Sequence, residues 1–107
     1  MSRDKQPFRA LLDTATAGDE WRSQAAALLE PLREYDSAHS GDLVQTLAVY
    51  FQLGGNASRT AERLFLHRNG LLYRLSRIEE ILGAPLDDAE VRMALELALR
   101  EQGGKKP

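Results

Sequence analysis

The chain has 107 residues, 43% of them hydrophobic and 28% charged, with a formal net charge of −2. That length accommodates one small domain, or one domain with a short attached segment. It has no cysteine, which excludes disulfides, thiolate metal sites and a cysteine nucleophile, and no run approaches the roughly 18 apolar residues that span a bilayer.

In chain order, almost every segment reads as helix. The opening MSRDKQPF lacks the apolar stretch of a secretory signal. Residues 7–17 predict a first helix, opened by Pro7 and closed by Gly18. Asp19 is placed to cap a second helix through Leu29, with Trp21, Ala25, Leu28 and Leu29 as its apolar side. Pro31 is expected to break or restart it, with a short turn to Tyr35 and a polar joint from Asp36 to Gly41. Asp42 is placed to cap a third helix through Leu53, in which Leu43, Leu47, Tyr50 and Phe51 recur at the helical interval. Gly54-Gly55 ends it and Asn56 is the expected cap of a fourth helix, about 57–65. After a tight turn at Phe65-Leu66-His67, a fifth helix runs about 68–82 and stops at Gly83. Asp87 with Glu90 has capping-box spacing for a sixth helix to about Arg100. The tail EQGGKKP is expected to be disordered.

The reading is therefore all-α: a small bundle of about five to six helices. It divides into an N-terminal helical segment (1–40), a helix-turn-helix unit (41–102) and a tail (103–107). The fourth and fifth helices, joined by about three residues, must cross steeply, as in a helix-turn-helix. Ala61 is expected inside the crossing, with Leu64, Leu66, Leu71 and Leu75 filling the wedge. At 100° per residue, Leu71, Leu75, Ile78 and Leu82 share one face of the fifth helix. Asn69, Gly70, Tyr73 and Arg77 lie opposite, with Arg74 at the edge. Trp21 reads as packing.

Charge points to the same place. Residues 56–78 carry five arginines and one acid, a net +4, between flanks of −3 each. A positive patch on an acidic chain suggests an anionic partner, and double-stranded DNA is the usual one for a helix pair of this kind. Asn69 and Tyr73 are base-edge candidates, since Asn takes adenine bidentately. Arg68, which takes guanine, points partly toward the core side by angle but can reach outward at the first turn, and it ranks with them mainly on the resemblance given below. Gly70 allows close approach. Arg59, Arg63, Arg74 and Arg77 are the phosphate candidates. His67 completes the set, although its position favours a cap or turn role over a base contact. The apolar final helix (Val91, Leu95, Ala98, Leu99) and the acidic flanks support an alternative, a protein-interaction or dimerisation module without direct DNA binding. An enzyme is not expected. There is no nucleophile–base pair or phosphate loop, and His39 and His67 lack metal-ligand spacing. Glu79 and Glu80 diverge by about 100° as a solvated face rather than an acid/base pair. No cofactor or metal is implied.

Residues 54–100 resemble the C-terminal helix-turn-helix domain of PucR/CdaR-type bacterial transcriptional regulators. Gly55-Asn56, Thr60-Ala61, Leu64, His67-Arg68-Asn69, Leu71, Tyr73-Arg74-Leu75, Arg77-Ile78-Glu79-Glu80 and Gly83 match the family's pattern in order. Residues 31–55, with Tyr35-Asp36 at the family's "YD" position, extend the resemblance. It implies a Fis-like fold and a cytoplasmic, homodimeric regulator in which this module follows sensing domains upstream that bind any effector. The chain is then expected to be a fragment. Gly70 and Leu72 depart from the family's usual Thr and Arg, which implies weaker DNA affinity or a different operator. Phe65 stands where helix-turn-helix motifs in general favour Gly, although a bulky residue there is compatible with this family.

Overall fold

The computed structural model describes residues 5–14 and 20–104. The helices are α1 (Gln6–Thr14), α2 (Glu20–His39), α3 (Leu43–Gln52), α4 (Ala57–Arg63), α5 (Arg68–Leu82) and α6 (Ala89–Gly104). Among the described residues there is no strand, and the all-α expectation holds. The expected end of the first helix and the Asp19 cap lie outside the described residues.

One apolar cluster runs through the whole bundle. Phe8 and Leu11 of α1, Leu29 and Leu32 of α2, Leu47 of α3, Leu71 and Ile78 of α5 and Val91, Ala94 and Leu95 of α6 are fully buried in it. Each large aliphatic side chain so buried contributes about 1.5–3 kcal/mol. The helix α6 packs on both α1 and α2. Lys5 bonds Asp88 at 2.8 Å and Arg9 bonds Glu90 at 3.0 Å, which tie the start of α1 to the start of α6. Arg92 of α6 also lies over the Phe51 ring of α3, 5.4 Å from its centroid.

Three helix ends differ from the sequence expectation. Pro31 does not break α2, which runs unbroken to His39, so only Ser40–Asp42 remain as the joint. Proline removes the N–H that would serve the Ala27 carbonyl, but Ala27 and Pro31 both lie on the exposed side, where water can take its place. Leu28, Leu29 and Leu32 are buried on the other side and hold the helix to the core across the proline. The helix α6 continues past Arg100 to Gly104, anchored there by an Arg22–Glu101 ion pair at 3.3 Å; residues 105–107 lie outside the described residues.

The third difference concerns caps. Asp42 occupies the N-cap position of α3 but makes no side-chain cap hydrogen bond. Asp36, one turn from the end of α2, does this work instead. Its Oδ1 accepts from the Leu43 N–H at 2.7 Å and its Oδ2 from the Val44 N–H at 3.1 Å, answering the orphan donors of a helix start. Gly41 leaves room beside it: a Cβ there would sit 2.9 Å from Asp36 Oδ1, so the carboxylate would have to shift. At α6 the cap is Asp88 rather than Asp87. Asp88 Oδ1 accepts from the N–H groups of Glu90 (3.0 Å) and Val91 (3.1 Å).

Two predictions follow from these caps. Asp36→Ala should lower the unfolding free energy by about 1–2 kcal/mol. Asp42→Ala, which breaks only an exposed ion pair, should cost less than about 1 kcal/mol; urea denaturation of the two variants separates the roles. The hydrogen bond from Lys5, then those from Val91 and Glu90, hold the Asp88 carboxyl below the usual carboxylate range. Its contribution is therefore present above the unfolded carboxylate value of about 4 and is lost as pH falls below it. Asp88→Asn keeps a capping oxygen but loses the Lys5 pair, so its thermal midpoint should fall less steeply than the wild type's between pH 5 and 3, both approximate limits.

A helix-turn-helix with an exposed basic face

The helix α4 is only seven residues long, too short to persist alone, and both of its ends are fixed. Asn56 caps it as expected, its Oδ1 accepting from the Arg59 N–H at 2.9 Å. Thr60, fully buried, donates its hydroxyl to the Asn56 carbonyl at 2.7 Å. At the other end the Leu66 N–H bonds the Ala61 carbonyl at 2.8 Å and the Phe65 N–H bonds the Glu62 carbonyl at 3.2 Å. This is a Schellman motif, with Phe65 in the left-handed position at φ +59°. It leads directly to His67, the N-cap residue of α5, whose side chain makes no cap hydrogen bond. Ala61 is buried in the crossing as expected, and Leu71, Leu75 and Ile78 form the buried stripe of α5. Leu64, Leu66 and Leu82 are half-buried against it.

The opposite face of α5 is open. Arg68, Asn69, Gly70 and Tyr73 are exposed, Tyr73 to 61%. Nothing lies within 4 Å of where a Cβ on Gly70 would be. Arg59 and Arg63 on α4 and His67 in the turn are exposed too. The angular reading turned Arg68 partly to the core side, but at the first turn of the helix it is out in solvent.

The arginines fall into two groups. Arg59, Arg63 and Arg68 are exposed and make no ion pair among the described residues. Arg74 is paired with Asp42 at the start of α3. Arg77 donates from Nη2 to the Tyr73 phenol oxygen at 2.7 Å and from Nη1 to Glu80 at 3.2 Å. The Tyr73 hydrogen bond, followed by its charge interaction and that of Glu80, pushes the Arg77 pKa above its already high ordinary value. Beside these residues a groove of about 450 Å³ runs between α5 and the α2–α3 joint, lined by Tyr35, His39, Asp42, Gly70, Arg74 and Arg77 among others. The Tyr35 and His39 rings stack along its far wall with centroids 4.1 Å apart.

Sequence reasoning missed the carboxylate side of this surface. Asp42 was expected as a cap and is instead the partner of Arg74. Glu79 was expected on a solvated face; its Oε2 accepts from the Leu86 N–H at 2.8 Å, pinning the α5–α6 loop. Neither contact has a local signal, because each joins residues set by the tertiary fold.

A seven-residue helix, a Schellman turn and a second helix with an open polar face define a helix-turn-helix domain. Residues 43–100 match the PucR C-terminal helix-turn-helix domain family, and the chain belongs to that family. It is 50% identical over 101 residues to the purine catabolism regulatory protein of Bacillus subtilis (strain 168), covering 94% of this chain and 18% of that protein. It is 44% identical over 93 residues to an uncharacterized protein of Thermomonospora curvata, covering 87% of this chain and 49% of that one. It is 38% identical over 90 residues to the carbohydrate diacid regulator of Escherichia coli (strain K12), covering 84% and 23%. The chain thus spans less than half the length of these curated relatives. No solved structure matches it significantly. Among the described residues no helix is long and apolar enough to cross a membrane.

Because α4 holds two of the free arginines and is fixed by so few bonds, its cap is testable. Asn56→Ala should lower the unfolding free energy by about 1 kcal/mol, and Asn56→Ser should restore most of it. Urea denaturation reads both.

Proposed function

We propose that this chain is the DNA-binding domain of a bacterial transcriptional regulator that reads double-stranded DNA with α5 in the major groove. The observation that carries the reading is the open face of α5: Asn69, Gly70 and Tyr73 exposed together behind an exposed Arg68, on a helix whose other side is fixed in the core. The family membership and the printed names of its relatives as regulators support it.

In this reading Arg68, Asn69 and Tyr73 meet base edges, where bidentate Arg–guanine and Asn–adenine pairs give discrimination. Gly70 lets the backbone come close, and His67 sits at the rim of the same contact. Arg59 and Arg63 on α4 meet phosphates, as the first helix of such a pair crosses the backbone. Arg74 and Arg77 join them once phosphate oxygens replace Asp42 and Glu80. The regulator acts as a homodimer in the cytoplasm, with two copies of α5 spaced by about 34 Å to read two half-sites. Effector recognition belongs to domains upstream of this module.

The test is fluorescence anisotropy with a random duplex and with a duplex selected from a randomised pool, each at several salt concentrations. Binding should weaken as salt rises, because phosphate contacts release counterions. Arg68→Ala and Asn69→Ala should each cost on the order of 1–3 kcal/mol on the selected duplex and less on the random one. Equal losses on both duplexes would remove base readout from these two residues, and no binding at low salt would overturn the reading itself.

A further inference from the structure

Three other helices end in the same left-handed turn as α4, and they show what is unusual about Phe65. After α3 the left-handed position is Gly54, at φ +70°, and after α5 it is Gly83, also at φ +70°. After α2 it is Ser40, at φ +50°, a small polar residue with its Gly41 N–H on the Asp36 carbonyl at 2.9 Å. Glycine takes this conformation without strain, whereas a Cβ crowds the following carbonyl. At the turn of the helix-turn-helix the chain instead places a phenylalanine, at φ +59°. Its ring gains nothing from the fold in return: Phe65 is 95% exposed, the most exposed large apolar residue among those described. Two independent costs, backbone strain and an aromatic ring in water, meet at one residue. That residue lies between Arg63 and the exposed pair His67 and Arg68, at the end of α5 whose first turn carries the proposed base contacts.

We propose that Phe65 is a DNA-contact residue, whose ring packs on an apolar face of a nucleotide beside the α5 N-terminus. The inference rests on the DNA-binding reading above and adds to it a contact that carries no charge. Two nucleotide surfaces have the required chemistry, the thymine 5-methyl group, which aromatic side chains contact in the major groove, and the C–H face of a deoxyribose. The surrounding arginines hold the backbone, so the ring meets a surface already brought to it. Neither charge nor a hydrogen-bonding group is needed on the ring, which distinguishes this contact from those of the arginines and Asn69.

The experiment measures affinity of the full 107-residue chain for the selected duplex across a salt series, for wild type, Phe65→Gly, Phe65→Asn and Phe65→Tyr. Glycine and asparagine both tolerate the left-handed backbone, so the fold persists and thermal midpoints should stay level or rise. Both ring-less variants should bind the selected duplex on the order of ten-fold more weakly. The slope of log affinity against log salt should not change, since no phosphate contact is lost. Phe65→Tyr, which keeps the ring, should restore binding. A second arm replaces thymine by deoxyuridine in the selected duplex. If the methyl is the contact, the substitution weakens the wild type and leaves Phe65→Gly indifferent; if deoxyribose is the contact, it changes neither. Wild-type affinity in both ring-less variants overturns the proposal while leaving the DNA-binding reading intact, and would assign the exposed ring to a protein partner. A lowered thermal midpoint in both, with affinity loss matched by Phe65→Tyr, also overturns it, because the residue would then be structural. A wild type that binds no duplex at low salt fails at the earlier step.

Discussion

The geometry of the site depends on one hydrogen bond, from the Leu66 N–H to the Ala61 carbonyl. It closes the turn after a helix of seven residues, and it joins two residues that also contribute to the packing between α4 and α5. Ala61 is buried at the crossing and Leu66 is tucked half-buried beside it. An isolated helix this short does not persist in water. Here it persists because Asn56 serves one end, the Schellman pair serves the other, and Thr60 and Ala61 are buried between them. Fixing α4 in this way fixes Arg59 and Arg63 relative to the face of α5. Any side chain larger than Ala61 at the crossing would separate the two helices and move that set of charges as a block.

The electrostatics are graded rather than uniform. The chain is acidic overall, yet its acids near the basic face are spent on the arginines furthest along α5. Asp42 holds Arg74 and Glu80 holds Arg77, while Arg59, Arg63 and Arg68 stay open at the α4 side and the α5 N-terminus. Exposed ion pairs of this kind are worth about 0–1 kcal/mol. A duplex phosphate is a stronger competitor, since each contact also releases condensed counterions. Pairs this weak leave Arg74 and Arg77 open to competition from a denser anion. Tyr73 also holds Arg77, whose guanidinium carbon lies 5.5 Å from the ring centroid and whose Nη2 donates to the phenol oxygen.

What was legible in the sequence is what is encoded locally. Leucine periodicity gave the buried stripe of α5. Asn56, two residues past Gly54, gave the start of α4, because a cap is read from residues three apart. The open face of α5 followed from 100° steps, with Arg68 at its first turn the exception. What was not legible is encoded by packing. Pro31 is a helix breaker by local rules, and α2 continues through it because Leu28, Leu29 and Leu32 are committed to the core on the far side. Asp42 stands where a cap should be, but Asp36 reaches the same N–H groups from the preceding helix, and only the tertiary path of the joint shows that it does. At α6 the cap is Asp88 rather than its neighbour Asp87, and Lys5 of α1 adds an ion pair to its second oxygen. For Pro31 and Asp42 the deciding contacts lie elsewhere in the fold, whereas Asp88 caps residues two and three along and was passed over for its neighbour.

These distant partners also connect the N-terminal helices to the open face of α5. Residues 43–100 match the family, but α5 packs directly on α2, which joins the core it shares with α1 and α6, where Phe8, Leu11, Leu29 and Leu32 are fully buried. Burial of Leu29 and Leu32 fixes the run of α2, and that places Asp36 over the first N–H groups of α3. Asp36 sets where α3 begins, and so where Asp42 stands. Asp42 in turn meets Arg74, on the edge of the open face. A side chain in the core of α2 thus bears, through two carboxylates, on the position of an arginine that faces the groove beside α5. Arg74 and the buried stripe of α5 thus both rest on α2, the first through Asp36 and Asp42 and the second by direct packing.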